Sequence, residues 1–523
     1  MLHGDVLGER ARLSPDKTAL VFVPTGERLS YRDLDGRAFA CAAAWRDQLG
    51  LTSGDRIGIL AHNRVEFLGN FFAAGKSGVV IVPLGTRLTA HEFAFMIRDS
   101  GMRALVYDGA FAEVVRDLKR LVELERWVAL DEPVDPSDSR FPDLLSRTPD
   151  PGPRTPVSPE DTYCLLYTSG TTGKPKGVML SHRMIAWNAY NTVISWQLRE
   201  DDISPIFTPL YHAGGLGAFL LPIFAIGGTV VLHADFDPTE IWHTIESERC
   251  TVVLGVPTIW KLLMEAPEFA SVDLSYVRWL ASGGAHLPLY IIEAYQKRGV
   301  VFRQGYGLTE VGVNCFAMSN EESVRKKGSI GRPLMFTQAK LIDTEGLEVE
   351  TGEVGELCLK GPHVCSGYWN NPAATAASFD EDGFFHTGDL ARRDEDDFFT
   401  IAGRKKDMFI SGGVNVYPAE IEGELLLHSA VADAAVVGVG HETWGEVGVA
   451  FVVPRPAQQV TADELGAFLA IKLARYKIPK DFIFVESLPR TAYGKVVKPE
   501  LAARYAQSRA QDTKHGTEEK DQD

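Results

Sequence analysis

Paired cysteines are missing from this sequence. Six cysteines occur in 523 residues, at positions 41, 164, 250, 315, 358 and 365. No two stand at C-x-x-C spacing, so neither a zinc site nor a disulfide framework is indicated, and reduced structural thiols are expected. A clean membrane-length apolar run is missing as well. The most apolar stretch, LGAFLLPIFAIGGTVVL at 216–232, is interrupted by Pro222 and by Gly227 and Gly228; it reads as a buried helix followed by a strand. The opening MLHGDVLGERARLSPDK is too polar for a secretory leader, and a cytoplasmic location is the default. An excess of basic charge is also absent. With 53 Lys and Arg against 70 Asp and Glu the net charge is −17, which gives no support to nucleic-acid binding but leaves room for a local basic pocket. No internal repeat is present.

What is there is an ordinary globular composition, 45% apolar and 24% charged, on a chain long enough for two to four units at roughly 100–200 residues each. The first 150 residues alternate helical patterns with short apolar strands such as DRIGILAHN, GVVIVPL and ALVYD, which predicts α/β layers. The Pro-, Ser- and Asp-rich stretch 135–161 predicts an exposed connection. Alternation resumes from 164 to about 315, with strands TVVLGVP and VRWLASGG, and Gly-bounded short strands over 328–402 predict a β-rich part. After the charged cluster GRKKD, 403–407, a new α/β pattern begins: AEIEGELLL as helix, VADAAVVGV and EVGVAFVVP as strands, ADELGAFLAIKLA as helix. The end, QDTKHGTEEKDQD, lacks apolar periodicity and predicts a disordered tail.

Four stretches carry chemistry. YTSGTTGKPKG, 167–177, packs four Ser/Thr hydroxyls, three glycines and two lysines into eleven residues. Its glycines let backbone N–H groups turn toward an anion, while hydroxyls and ammonium groups add donors. It is not a Walker A loop, because Gly170 and Gly173 are too close and Pro175 follows Lys174. GYGLTE, 305–310, offers an aromatic for stacking on a base, a hydroxyl for a phosphate and a carboxylate for Mg²⁺. In HTGDLARRDEDDFFTIAGRKKD, 386–407, an Asp and an Arg some fifteen residues apart are placed to reach a ribose or to pair with each other. PRTAYGKVVKPEL, 489–501, carries a lysine on a Gly turn. HETWGE is not HExxH, so no metalloprotease site is indicated.

In this order and spacing, the four stretches resemble the adenylate-forming superfamily of acyl-CoA synthetases, peptide-synthetase adenylation domains and firefly luciferases, over about residues 10–505; the likeness is greatest to a bacterial acyl-CoA ligase. Supporting stretches are PLGTRLTAHEFAFMIRDSGMRALVYD, GSIGRP, TGEVGEL, SGGVNVYPAEIE and GHETWGEVGVAFVV. The resemblance implies a large N-terminal domain of α/β layers with a β-rich subdomain, 1–403, a hinge at 404–407 with Lys406, a small mobile α+β domain, 408–505, and a disordered tail, 506–523. It implies a phosphate loop of Thr168, Ser169, Gly170, Thr171, Thr172, Gly173, Lys174 and Lys176 gripping the β- and γ-phosphates of ATP. Thr309 matches the α-phosphate contact and Glu310 the Mg²⁺ ligand. Gly283, Gly284, Ala285 and Tyr306 match the adenine site, and Asp389 and Arg404 the ribose ligands. Lys495 matches the lysine that reaches the reacting carboxylate, and His212 an aromatic or His gate beside it. Gly412 and Gly413 of SGGVN match a channel for the pantetheine arm of CoA.

The implied acyl pocket, from stretches 207–217 and 281–313, offers Phe207, Leu210, Ala213, Gly214, Leu216, Gly307, Val311, Gly312 and Val313. Its apolar, often small lining predicts a roomy pocket for a fatty, aryl or otherwise bulky apolar acid. No Asp at 211–213 matches the amino-acid anchor of peptide-synthetase domains. Val414 and Gly85 depart mildly from the usual pattern. The implied activity is an acid–CoA ligase with ATP, Mg²⁺ and CoA as cofactor or co-substrates, acting as monomer or homodimer. The alternatives are an adenylating enzyme that loads a carrier protein or stops at the acyl adenylate, and a non-catalytic nucleotide-binding module. Luciferase-type oxygenation is the weakest of these readings.

Overall fold

Ile57, Ile59, Ile81, Val82, Leu105 and Val106 sit in short runs between helices and are fully buried, the pattern of strands covered on both faces. In the computed structural model they form a seven-stranded sheet. Its order is Ser139–Arg140, Arg126–Ala129, Ala104–Tyr107, Arg56–Leu60, Val80–Pro83, Thr162–Thr168 and Lys176–Ser181. Every pairing is parallel except the last, where Thr162–Thr168 and Lys176–Ser181 run antiparallel. Helices Ala90–Ser100 and Ala112–Leu121 pack Phe93, Ile97, Val115 and Leu118 onto it. The structure describes residues 4–146, 154–168, 175–284, 287–456, 458–490 and 496–518, with side chains as far as Arg509.

Part of the expected exposed connection is structured. Ser139–Arg140 adds an edge strand and Phe141–Ser146 is a helix. Phe141 and Leu144 are buried, and buried Asp138 accepts the Tyr107 hydroxyl at 2.6 Å and pairs with Lys119. Two apolar anchors and one buried carboxylate outweigh the loop-like composition around them.

A four-stranded sheet follows, ordered Ile203–Ile206, Thr229–Leu232, Thr18–Phe22, Glu27–Ser30, and a parallel three-stranded one, Val252–Gly255, Trp279–Ser282, Phe302–Gln304. The apolar run 216–232 is buried helix then strand, as expected. A π-helical stretch, Gly214–Leu220, leads into helix Leu221–Ile226, which ends at Gly227 with φ +88° before strand Thr229–Leu232. Among the described residues no helix is long and apolar enough to cross a membrane. All six cysteines are buried free thiols. The β-rich stretch is a four-stranded sheet, Gln338–Ile342, Val354–Lys360, Phe385–Arg393, Phe399–Arg404.

The chain divides into two compact units: Met1–Leu287, Ala294–Lys340 and Cys358–Thr387 in the first; Pro288–Glu293, Leu341–Leu357 and Gly388–Asp523 in the second. The second centres on the long antiparallel pair Val431–His441 and Gly445–Pro454. Side chains there alternate between two cores. Ala434, Val436, Ala450 and Val452 face helices Pro418–Leu425 and Ala462–Ala470, while Ala435, Val437, Val449 and Phe451 share the other core with Leu488 and Leu501. The last helix runs Lys498–Glu518, into the stretch expected as a tail. Leu501, Ala502 and Tyr505 set its first turns on that core, and beyond them its Ala, Gln, Arg, Lys and Glu content favours helix.

Candidate active site

In the three-stranded sheet, glycine turns follow the carboxyl ends of parallel strands, where open α/β sheets place their ligands. Gly283 and Gly284 follow Trp279–Ser282, and Gly305–Tyr306 follows Phe302–Gln304. The turns are tied together: Gly305 N–H donates to the Ser282 carbonyl at 2.7 Å. Gly284 has φ +81°, which only glycine adopts without strain. Tyr306 is buried, edge-on to Phe316 with centroids 5.6 Å apart. The chain then makes a tight turn through Thr309, Glu310 and Val311, closed by Leu308 N–H to the Gly312 carbonyl at 3.2 Å. A Cβ at Gly307 would lie 2.2 Å from that carbonyl oxygen, so the approach requires glycine.

Thr168 and Lys176 are directly opposed across the antiparallel strand pair, so the Gly-rich stretch between them is the connection of a hairpin. Ser169, Gly170, Thr171, Thr172, Gly173 and Lys174 themselves, with Ala285 and Lys495, lie outside the described residues. From its strand end Lys176 places its ammonium 4.9 Å from the centroid of the Tyr368 ring, and the Tyr368 hydroxyl donates to Glu310 Oε1 at 3.2 Å. One aromatic thus lies between a cation and an anion of the expected site. Burial, reinforced by the Glu310 charge, raises the Tyr368 pKa, so the phenol stays a neutral donor.

The same turn borders an apolar cavity. Thr309, Gly312 and Val313 line it, with Ala213, Leu216, Gly217, Met184, Leu166 and Phe71 among the facing residues. Of the nine residues expected for an acyl pocket, Ala213, Leu216, Gly312 and Val313 line this cavity. Phe207 packs instead against His233 and Phe236, with centroids 6.3 and 6.0 Å away. Gly307 is wedged against the Gly312 backbone, Val311 is buried, and Gly214 begins the π-helical stretch. The space is also tighter than the roomy pocket expected, about 30 Å³, with Met184, Leu216 and Phe71 among the side chains that line it. Asn188 is the polar strut of its wall: its amide donates to the Gly217 carbonyl at 2.7 Å and accepts the Val313 N–H at 3.2 Å. His212 is half-buried at the head of the π-helical stretch, beside Ala213. Its Nδ1 accepts the Gly214 N–H at 3.1 Å, which leaves the proton of a neutral ring on Nε2.

A residue absent from the sequence expectations holds the turn from behind. His363, 1% exposed, meets the Val311 carbonyl through Nδ1 at 2.5 Å and Thr337 Oγ1 through Nε2 at 2.7 Å. Tyr368 and Asn188 were likewise not anticipated. The usable signal for Tyr368 was GYW at 367–369, an aromatic beside a glycine, the pattern that singled out Tyr306; His363 and Asn188 left no signal, because their roles depend on contacts far along the chain.

In the second unit Asp389 and Arg404 stand opposite each other on adjacent strands, and Arg404 Nε meets Asp389 Oδ1 at 2.9 Å. They form an ion pair with the carboxylate buried and the guanidinium more exposed. Lys406 is exposed in the turn between strands Phe399–Arg404 and Phe409–Ser411. Gly412 and Gly413 have φ +58° and +81° and lie exposed in the turn after Phe409–Ser411. Gly412 donates its N–H to the Trp444 carbonyl at 2.9 Å, and a Cβ there would sit 2.9 Å from the indole.

Comparison with known proteins places these features. Residues 7–369 match the AMP-binding enzyme family, and residues 420–495 match the AMP-binding enzyme C-terminal domain. The chain belongs to the AMP-binding enzyme family. It is 40% identical to a feruloyl-CoA synthase of an Amycolatopsis species, over 95% of this chain and 97% of that one. To an indoleacetate–CoA ligase of Aromatoleum aromaticum it is 37% identical, over 95% and 96%. The crystal structure of ATP-bound MatB from Rhodopseudomonas palustris superposes with a TM-score of 0.88 at 31% identity, covering 96% of this chain and 99% of that one.

Proposed function

We propose that this site activates a hydrophobic carboxylic acid with ATP and hands it to the thiol of CoA. The chain is an AMP-forming acid–thiol ligase. A carboxylate oxygen bonds to the α-phosphorus of ATP as the bond to pyrophosphate breaks, giving acyl-AMP; the CoA thiol, losing its proton, then displaces AMP to give the thioester. ATP with Mg²⁺ and CoA are its co-substrates. The observation that carries this reading is the turn 305–313. One short segment lines an apolar cavity with Thr309 and Gly312 and turns the carboxylate of Glu310 to the hydroxyl of Tyr368, whose ring carries the Lys176 ammonium. Acid and nucleotide would meet across Thr309.

The residues fit these groups. Among the described residues no cluster of three or more His, Cys, Asp or Glu is placed to hold a metal ion. A single carboxylate suits Mg²⁺, which binds through one or two carboxylates plus substrate phosphates. Bound there, it would neutralise phosphate charge. In this reading Thr168, Lys176 and the loop between them hold the departing pyrophosphate. Thr309 donates to the α-phosphate. Gly283, Gly284, Ala285 and Tyr306 cradle adenine, and the Asp389–Arg404 pair binds the ribose. Lys495 supplies fixed positive potential where negative charge develops. His212 orients the acid's carboxylate. Lys406 marks the hinge of a domain boundary at 403/404, about which residues 408–505 turn to bring Gly412 and Gly413 to the pantetheine arm. A cytoplasmic location belongs to the same reading, supported by the buried free thiols.

The largely apolar facing wall supports an aryl or fatty acid, and the feruloyl and indoleacetate relatives named above support the aryl member of that pair. Incubation with an arylalkanoic or arylacrylic acid, ATP, Mg²⁺ and CoA should yield CoA thioester and AMP in equal amounts. Pyrophosphate release with no CoA consumed would favour the carrier-loading alternative instead.

A further inference from the structure

Glu310 is held at both ends by one segment of chain. Its backbone carbonyl accepts the Cys365 N–H at 2.8 Å, and its carboxylate accepts the Tyr368 hydroxyl at 3.2 Å. The next carbonyl, Val311, is met by His363 Nδ1 at 2.5 Å. Three contacts from residues 363–368 therefore fix the turn, and only that of Tyr368 reaches the Glu310 side chain.

Tyr368 is itself firmly seated. Its N–H donates to Thr375 Oγ1 at 2.9 Å. Its neighbours pair onto strand Lys176–Ser181: Met179 N–H donates to the Gly367 carbonyl at 2.9 Å, and Trp369 N–H to the Gly177 carbonyl at 2.8 Å. That strand carries Lys176, whose ammonium lies on the ring's face while the hydroxyl at its rim points to Glu310. The two charges are thus kept on different parts of one aromatic. Opposite charges brought together in a low-dielectric cleft attract strongly, and a direct Lys176–Glu310 ion pair would occupy both the cation meant for phosphate and the carboxylate meant for metal.

We propose that Tyr368 is a positioning residue for the metal side of the site: its hydroxyl orients Glu310, and its ring keeps Lys176 from closing onto that carboxylate. This rests on the reading of Glu310 as the Mg²⁺ ligand. Tyr368→Phe keeps the ring over Lys176 and removes only the hydroxyl; Tyr368→Leu removes both functions; Glu310→Gln tests the underlying reading.

The direct readout is Mn²⁺ binding in the presence of ATP, followed by electron paramagnetic resonance. Beside it, acid-dependent ATP–pyrophosphate exchange is titrated with Mg²⁺. Tyr368→Phe should weaken Mn²⁺ binding roughly 3–10-fold, the scale of one typical net hydrogen bond. It should raise the Mg²⁺ requirement while leaving the rate at saturating Mg²⁺ within about twofold. Tyr368→Leu should weaken binding further, by roughly another tenfold, as the cation–π contact goes and the ion pair forms. Should Tyr368→Leu not fold, Tyr368→Phe decides alone. Loss of Mn²⁺ binding in Glu310→Gln with wild-type binding in Tyr368→Phe overturns the positioning role and leaves the reading of Glu310 intact. Wild-type Mn²⁺ binding in Glu310→Gln overturns both.

Discussion

On the proposed function, Lys495 acts through its charge rather than through packing. Replacing it with Ala should cut acid-dependent ATP–pyrophosphate exchange by roughly 10²–10³, the range for one lost electrostatic stabiliser, while reaction of preformed acyl-AMP with CoA continues at nearly the original rate. Equal loss in both half-reactions would contradict its assignment to the first step. His363 works differently. Burial holds its pKa below the ordinary value of 6.5, the Val311 carbonyl opposes that shift, and the Arg183 charge adds to it. Below 6.5 the unfolded chain binds a proton that the folded chain resists. The contribution of neutral His363 is therefore complete above about pH 7 and is lost as pH falls through 6.5 toward the depressed value. His363→Gln, which retains a donor and an acceptor, should flatten the fall in urea midpoint between about pH 7 and 5 relative to wild type. Parallel curves would show that His363 is not the group titrating.

At the level of elements, the parallel sheet of the first unit depends on a charged cluster beneath it. Lys76, 2% exposed near the end of helix Val65–Ser77, pairs with Asp5 at 2.8 Å and with Asp35, and Arg154 reaches Asp5 at 3.2 Å. Lys76→Met should destabilise the protein by about 3–5 kcal/mol, because it leaves Asp5 buried beside one partner fewer; a denaturant melt within about 1 kcal/mol of wild type would show that the pair is dispensable. This cluster was invisible in the sequence, where Lys76 and Asp5 look like any surface charges. The strands, by contrast, could be read directly. Val80–Pro83 and Ala104–Tyr107 are apolar runs bounded by turns, and Val431–His441 shows the two-residue alternation of a strand between two cores. The candidate site was legible wherever its residues lie in one stretch, as in GYGLTE or at Lys176. It was not legible where a side chain acts on a partner 50 or more residues away, as Tyr368 does on Glu310 and His363 on Val311. The wall of the apolar cavity shows the same limit: Phe207 and Ala213 are close in sequence, but one packs against His233 and the other lines the cavity.

For the whole molecule, the proposed function gives the division into two compact units a use. A cation that stabilises acyl-AMP formation would obstruct the thiol that must next attack the same carbonyl, and on that proposal the second unit takes a separate arrangement for each step. The central claim remains the first of them: that this turn, cavity and hairpin together join an apolar acid to AMP. The most direct test is ATP–pyrophosphate exchange in the absence of CoA, across acids graded from acetate through arylacetic and arylacrylic acids to long-chain fatty acids. The account predicts exchange that requires Mg²⁺ and an added acid, is strong with an aryl or fatty member and feeble with acetate. Exchange driven best by acetate or a free amino acid, or no acid-dependent exchange at all, would contradict it.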